Sequence, residues 1–345
     1  MSSNEYIPVS TLHNLKKYKY QAIDKSPVSK YILAGYWEYV VSFVPLWLAP
    51  NMVTLIGLFH VLAAYILIVI YSPDLSNNAP GWVYITQGIF FWIYGTLDAI
   101  DGKQARRTGQ SGPLGELFDH GCDSLTVPIG LMLQCICFGF GSSWKTLFFM
   151  STGLINFYVS TVEEYHTGIL YLGYISGAVE GILFLAVSLI VSGIYGTSIW
   201  TTPIRNLTSY TDRIFYIFQD TFLFDINIGD FIFYFLAIGI FPTVLASYRH
   251  IYAKTKMLKI SISPAIKDML PLVYYFGAIY VWLTNSPQIV EKHLLLFLST
   301  VTFGYSYIVG RVIVAHVTKA SIPKLNFMHI PIILGAILSF EAFKM

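Results

Sequence analysis

The chain has 345 residues, of which 55% are hydrophobic and only 12% charged; its formal net charge is +2 and its mean hydropathy +0.61. A soluble domain carries about 25% charged residues, so the composition excludes an ordinary soluble fold and indicates an integral membrane protein. Aromatic residues reach 17%, and many Trp and Tyr stand near the ends of apolar runs, where interfacial anchors belong.

The first 30 residues are polar, hold five lysines and contain no apolar run, so no cleavable signal peptide is expected. Tyr31–Leu48 is apolar but interrupted by Glu38 and Pro45, which predicts a helix lying in the interface. Residues 1–50 thus read as a cytoplasmic tail with an interfacial helix, and residues 51–345 as one membrane domain. A membrane-crossing helix needs about 20 mostly apolar residues. Nine stretches approach this: Asn51–Tyr71, Gly81–Leu97, Leu117–Phe140, Thr146–Val162, Tyr174–Gly193, Phe231–Tyr248, Met269–Leu283, His293–Val317 and Phe327–Phe340. Arg213–Phe224 carries charges and is too short. The predicted fold is all-α, a polytopic helical membrane protein without internal repeats. Cys122, Cys135 and Cys137 show neither zinc spacing nor even pairing and read as small apolar fillers.

Basic residues set the orientation. With residues 98–116 on the cytoplasmic side, the N-terminal tail and the 98–116, 249–268 and 311–324 segments hold 16 of the 21 Lys and Arg. The sequon Asn206-Leu207-Thr208 then faces the lumen, where it is open to glycosylation.

The chemistry concentrates at the cytoplasmic ends of the second and third spans. Asp98 and Asp101 are spaced i, i+3, and Asp119 and Asp123 i, i+4, so each pair shares a helix face. Antiparallel neighbours joined by a short loop bring the faces together around one cavity. Mutual repulsion would then drive the helices apart unless hard divalent cations intervene; Mg²⁺ takes carboxylates together with substrate phosphates, and two ions suit a phosphoryl displacement. Gly102 and Ala105 remove bulk beside Asp101, so a nucleotide or pyrophosphate can approach, and Gly115 thins the next helix. Lys103, Arg106 and Arg107 can meet phosphate charge. Gly109, Gly112 and Pro113 end one helix and begin the next. Asn51 can bond a nucleobase or cap its own helix. Glu116 reads either as a partner for Arg106 or Arg107 or as a solvated helix-start acid, and Glu180 as a shallow intramembrane acid.

The pattern D98-x2-D101-G102-x2-A105-R106-x8-G115-x3-D119-x3-D123 resembles the signature of the CDP-alcohol phosphotransferases. The flanking R-R-T-G-Q-S-G-P-L-G-E-L-F-D-H-G-C-D-S, the segment Leu15–Tyr20, the segment Ala49–Thr54 and Glu163-Glu164-Tyr165-His166-Thr167-Gly168 are similar to the eukaryotic choline/ethanolamine phosphotransferase branch. The resemblance implies ten spans against the nine read here, usually in a homodimer. It implies transfer of phosphocholine or phosphoethanolamine from CDP-choline or CDP-ethanolamine to diacylglycerol, with release of CMP, in the endoplasmic reticulum or Golgi. It further implies two Mg²⁺ or Mn²⁺ ions on Asp98, Asp101, Asp119 and Asp123, and substrate contacts from Asn51, Gly102, Lys103, Ala105, Arg106 and Gly115. Asp123 is the first choice for the base that takes the acceptor proton, with His120 and His166 as rivals. Two other readings stay open at this point: a family member with another acceptor, such as inositol, or a cation or metabolite transporter. No nucleic-acid partner is expected.

Overall fold

Ser143 and Asn227 show how local chemistry starts these helices. Each accepts a hydrogen bond from a backbone N–H three residues on, at 3.4 Å and 2.7 Å respectively, satisfying a donor that the first turn would otherwise orphan. The computed structural model describes residues 7, 9–173, 178–207 and 225–340. From the N-terminus, a 3₁₀ segment Val9–Lys17, strand β1 (Ala22–Asp24) and a π-helical turn Val28–Leu33 lead into α1 (Ala34–Phe43). The main helices follow: α2 (Pro50–Tyr71), α3 (Gly81–Thr108), α4 (Pro113–Cys137) and α5 (Trp144–Thr167). Strand β2 (Leu170–Leu172) precedes α6 (Ala178–Tyr195) and the short α7 (Ser198–Thr201) and α8 (Ile204–Leu207). The chain then forms α9 (Ile228–Leu258), α10 (Ser263–Lys267), α11 (Leu270–Asn285), α12 (Pro287–Lys292), α13 (Leu294–Thr318) and α14 (His329–Leu338).

Within the described residues, each apolar stretch singled out in the sequence falls on a helix. By length and hydropathy, three of these helices qualify to cross a membrane: α2, α9 and α13. Helices α3, α4 and α5 are long enough, at 28, 25 and 24 residues, but carry the polar residues of the site. The segment Arg213–Phe224, Tyr174 and the sequon's Thr208 lie outside the described residues; Asn206 is exposed on α8.

The all-α expectation needs one correction. Strands β1 and β2 pair in parallel, Ala22 opposite Leu170 and Asp24 opposite Leu172. Three residues are too few to display a two-residue alternation, so only the meeting of the N-terminal segment with the end of α5 reveals the sheet.

The core gathers around α4, α5, α11 and α13, where Tyr158, Tyr275 and Tyr305 are fully buried. Each hydroxyl donates to a backbone carbonyl, at Asp268 (2.8 Å), Val301 (2.8 Å) and Leu154 (2.7 Å), so large rings enter the interior without an orphaned polar end. All three cysteines are free and buried.

Helices α3 and α6 meet along small residues. A Cβ at Gly88 would stand 2.8 Å from the Ala186 carbonyl, and one at Gly81 2.5 Å from that of Gly193. Such backbone proximity is how helices associate in a lipid solvent that rewards packing rather than apolar burial. Gly88→Leu is expected to destabilise the fold by about 1–3 kcal/mol or more through overpacking, read as a lower melting temperature of the detergent-purified protein.

Candidate active site

The cytoplasmic-end geometry starts with α3. The helix continues eleven residues beyond Leu97, to Thr108, so Asp98, Asp101, Gly102 and Ala105 all lie on helix and, at this spacing, on one face. Gly109, at φ 66°, ends α3, a conformation that favours glycine. The chain turns, and Pro113 opens α4, where its missing N–H leaves no helix bond unmade.

Side-chain oxygens of Asp98, Asp119 and Asp123 lie within 4.8 Å of one another. Asp119 Oδ1 is buried with no hydrogen-bond partner among the described residues. Three carboxylates and an orphaned oxygen form a donor set that fits a hard, oxygen-seeking divalent cation. Asp101 is 8% exposed and accepts a 2.5 Å hydrogen bond from Thr54 Oγ1 on α2. The Tyr94 hydroxyl donates to Asp123 and lies 3.4 Å from Asp98. Thr54 and Tyr94 were not singled out in the sequence. Tyr94 had a signal, since it precedes Asp98 by four residues on one helix; Thr54 stood only as the end of the family-like segment Ala49–Thr54, and its contact with Asp101 crosses between helices.

The basic residues divide. Lys103 pairs with Glu38 on α1 and, by that hydrogen bond and charge, holds the Glu38 carboxyl below the usual carboxylate range. Arg107 donates to the carbonyls of Val41 and Val44. Gln104, fully buried, donates to Pro45 O at 2.9 Å and Leu48 O at 3.0 Å. These three residues anchor the segment that ends at Asn51. Arg106 remains exposed, its guanidinium 3.7 Å from where a Gly102 Cβ would stand. Asn51 and Gly115 are brought together: the Asn51 Oδ1 lies 3.9 Å from a Cβ built on Gly115, and both line an open cleft of about 320 Å³ with Gln110, Gly112 and Pro113.

The Nδ1 of His120 is 3.8 Å from Glu164 Oε2, and His166 Nε2 is hydrogen-bonded to Asp268 at 2.9 Å, with Lys324 on the other oxygen of Asp268. Glu116 pairs with neither Arg106 nor Arg107 but is buried near His316. Glu180 accepts from Ser26. A small, mostly apolar pocket of about 20 Å³, lined by Tyr36, Trp92, Gly95, Thr96 and Ile182, borders Asp98.

Comparison with known proteins matches this arrangement to its relatives. The sequence model described as CDP-alcohol phosphatidyltransferase matches residues 47–202, which include all four aspartates. The chain is 35% identical over 333 residues to Cholinephosphotransferase 1 of Saccharomyces cerevisiae, covering 93% of this chain and 81% of that protein. It is 34% identical over 319 residues to Choline/ethanolaminephosphotransferase 1 of Arabidopsis thaliana, covering 90% and 78%, and 31% identical over 352 to Ethanolaminephosphotransferase 1 of Mus musculus, covering 97% and 83%. An acidic site shared by two antiparallel helices and relatives aligned along nearly the whole chain agree: this protein belongs to the CDP-alcohol phosphatidyltransferase family.

Proposed function

We propose that the chain transfers phosphocholine or phosphoethanolamine from CDP-choline or CDP-ethanolamine to diacylglycerol, yielding phosphatidylcholine or phosphatidylethanolamine and CMP. The observation that carries this reading is a three-carboxylate cluster, one member of which, Asp98, borders a small, mostly apolar pocket. A water-soluble diphosphate and a lipid alcohol have to meet at such a boundary. The relatives' names support the same chemistry.

In this proposal Asp98, Asp101, Asp119 and Asp123 hold two Mg²⁺ or Mn²⁺ ions. When bound, the ions neutralise the diphosphate and favour departure of CMP. Thr54 and Tyr94 fix the rotamers of Asp101 and Asp123. Asn51 and Gly115 border the nucleotide cleft, Gly102 and Ala105 let the diphosphate approach α3, and Arg106 meets its charge. Lys103 contributes by leaving Glu38. Asp123 takes the proton of the diacylglycerol hydroxyl; His120 and His166 have their ring nitrogens near Glu164 and on Asp268, which favours Asp123 over both. Residues 1–50 supply a cytoplasmic tail and an interfacial helix whose Tyr31, Tyr39, Phe43 and Trp47 are exposed, and residues 51–345 form a membrane domain of nine or ten spans. The enzyme acts as a homodimer in the endoplasmic reticulum or Golgi, with its site facing the cytoplasm.

Reconstitution in lipid nanodiscs containing diacylglycerol, with both CDP-alcohols in competition, tests the reading. Labelled phospholipid and equimolar CMP are expected. Absence of product from both donors, or cation flux without lipid synthesis, overturns it. Arg106→Ala is expected to raise KM for the nucleotide about tenfold, the loss of one charge-assisted contact of about 1.4 kcal/mol, and Lys103→Ala to change it less; steady-state kinetics separates the two.

A further inference from the structure

Helix α9 is longer than a bilayer requires. Its 31 residues span about 46 Å at about 1.5 Å per residue, against about 30 Å of hydrocarbon core. Asp230, in its first turn and paired with Lys145, marks one boundary. About ten residues at the other end, from Arg249 to Leu258, therefore run at or beyond the headgroups. Lys259, at φ 55°, then turns the chain toward the short α10. The segment is fixed to the bundle on both sides. His250 Nδ1 is 2.5 Å from Glu163 Oε1 on α5, and its ring stacks on Tyr171 with centroids 4.2 Å apart. Asp268, directly after α10, holds His166 of α5 at 2.9 Å.

This connection is basic without a counter-charge. The stretch from Arg249 to Lys267 contains Arg249, Lys254, Lys256, Lys259 and Lys267 and no Asp or Glu. Among the described residues none of these five forms an ion pair. The acids that flank the segment, Glu163 and Asp268, are occupied by His250 and by His166 and Lys324. Large apolar side chains stand between the cations: Tyr252, Met257, Leu258, Ile260 and Ile266 are 49%, 66%, 51%, 58% and 57% exposed. At this end α9 buries Ser247, Ile251 and Thr255, spaced by four on one face. Tyr248, Tyr252 and Lys256 lie on an exposed face, the two tyrosine rings stacked 6.3 Å apart.

Charge and apolar exposure together select a lipid surface. An excess of lysine on one side of a membrane is a topology signal, but that signal needs no exposed apolar residues among the lysines. A stretch surrounded by water gains nothing from clustered large apolar side chains. Cations and apolar groups interleaved at headgroup depth satisfy both observations: the apolar groups reach the acyl boundary while the ammonium groups meet phosphate. The stacked tyrosines mark that depth, since such rings sit at the headgroup level. A zwitterionic leaflet presents no net charge to this surface. An anionic leaflet favours each Lys or Arg beside it by about fivefold in partitioning.

We propose that the segment from Arg249 to Lys267 docks on the headgroups of anionic phospholipids in the surrounding leaflet, its lysines on their phosphates and its apolar side chains at the acyl boundary. Such docking is independent of which lipid the enzyme makes. The test is amide hydrogen exchange on the full-length protein in nanodiscs of phosphatidylcholine, with and without phosphatidylserine. Exchange over residues 252–267 is expected to slow at least about fivefold when phosphatidylserine is present, and to return to the phosphatidylcholine rate at about 1 M salt, where screening is nearly complete. The combined variant Lys254→Gln, Lys256→Gln, Lys259→Gln and Lys267→Gln is expected to exchange alike in both lipids and to melt in phosphatidylcholine at the temperature of the unaltered protein. If that variant does not fold, the lipid and salt comparisons on the unaltered protein decide. Equal exchange of the unaltered segment in both lipids overturns the proposal and leaves the surface to a protein partner; slowing that survives high salt or the four substitutions overturns it as well.

Discussion

Asp101→Ala is expected to lower turnover by at least about a thousandfold, equivalent to about 4 kcal/mol of transition-state stabilisation, without loss of the fold. Asp101 is buried and accepts from Thr54 Oγ1 at 2.5 Å, so its carboxylate is held in one rotamer at the edge of the Asp98–Asp119–Asp123 cluster. Replacement by alanine removes a donor that no neighbouring residue replaces and leaves Thr54 facing a small gap. Thr54→Val keeps the shape and every carboxylate but removes the bond that orients Asp101; a loss of about tenfold is expected, the worth of one hydrogen bond to a charged group. CMP release in nanodiscs, compared with the melting temperature of each variant, checks both. A well-folded Asp101→Ala protein with near-normal turnover would remove Asp101 from the metal-binding set.

Withdrawal of Mg²⁺ is expected to abolish transfer and to lower the melting temperature together. Three carboxylates within 4.8 Å of one another come from two helices, Asp98 from α3 and Asp119 and Asp123 from α4. Two unscreened charges about 4 Å apart repel by on the order of 4 kcal/mol at an effective dielectric constant of 20, so a bound cation would both activate the site and draw the helix ends together. Gel filtration into magnesium-free buffer, followed by thermal melting and CMP release with and without added Mg²⁺, reads both effects. Asp119→Asn removes one charge, and its melting temperature should depend less on Mg²⁺ than that of the unaltered protein. If melting is indifferent to Mg²⁺ in both, the aspartates are not held together by a cation.

The sequence by itself determined the helical class, the placement of the main helices and the family. Helix periodicity and apolar length are local properties, and the spaced Asp, Gly and Arg pattern lies within 26 consecutive residues, on the end of α3, the start of α4 and the short turn between them. The turn was legible for the same reason: Gly109 and Pro113 act through their own backbone geometry. Only the tertiary structure decided which side chains meet across distant helices. Thr54 on Asp101, Tyr94 on Asp123, and Gln104 and Arg107 on the carbonyls before Asn51 are pairings without a sequence period. The assignment of Lys103 to Glu38, of His166 to Asp268, of His120 to Glu164 and of Glu116 to His316 depends on how α1, α5 and α13 pack. The physical reason is that a charge in an apolar chain takes the counter-charge the fold brings nearest, and nearness along the chain says little about nearness between helices.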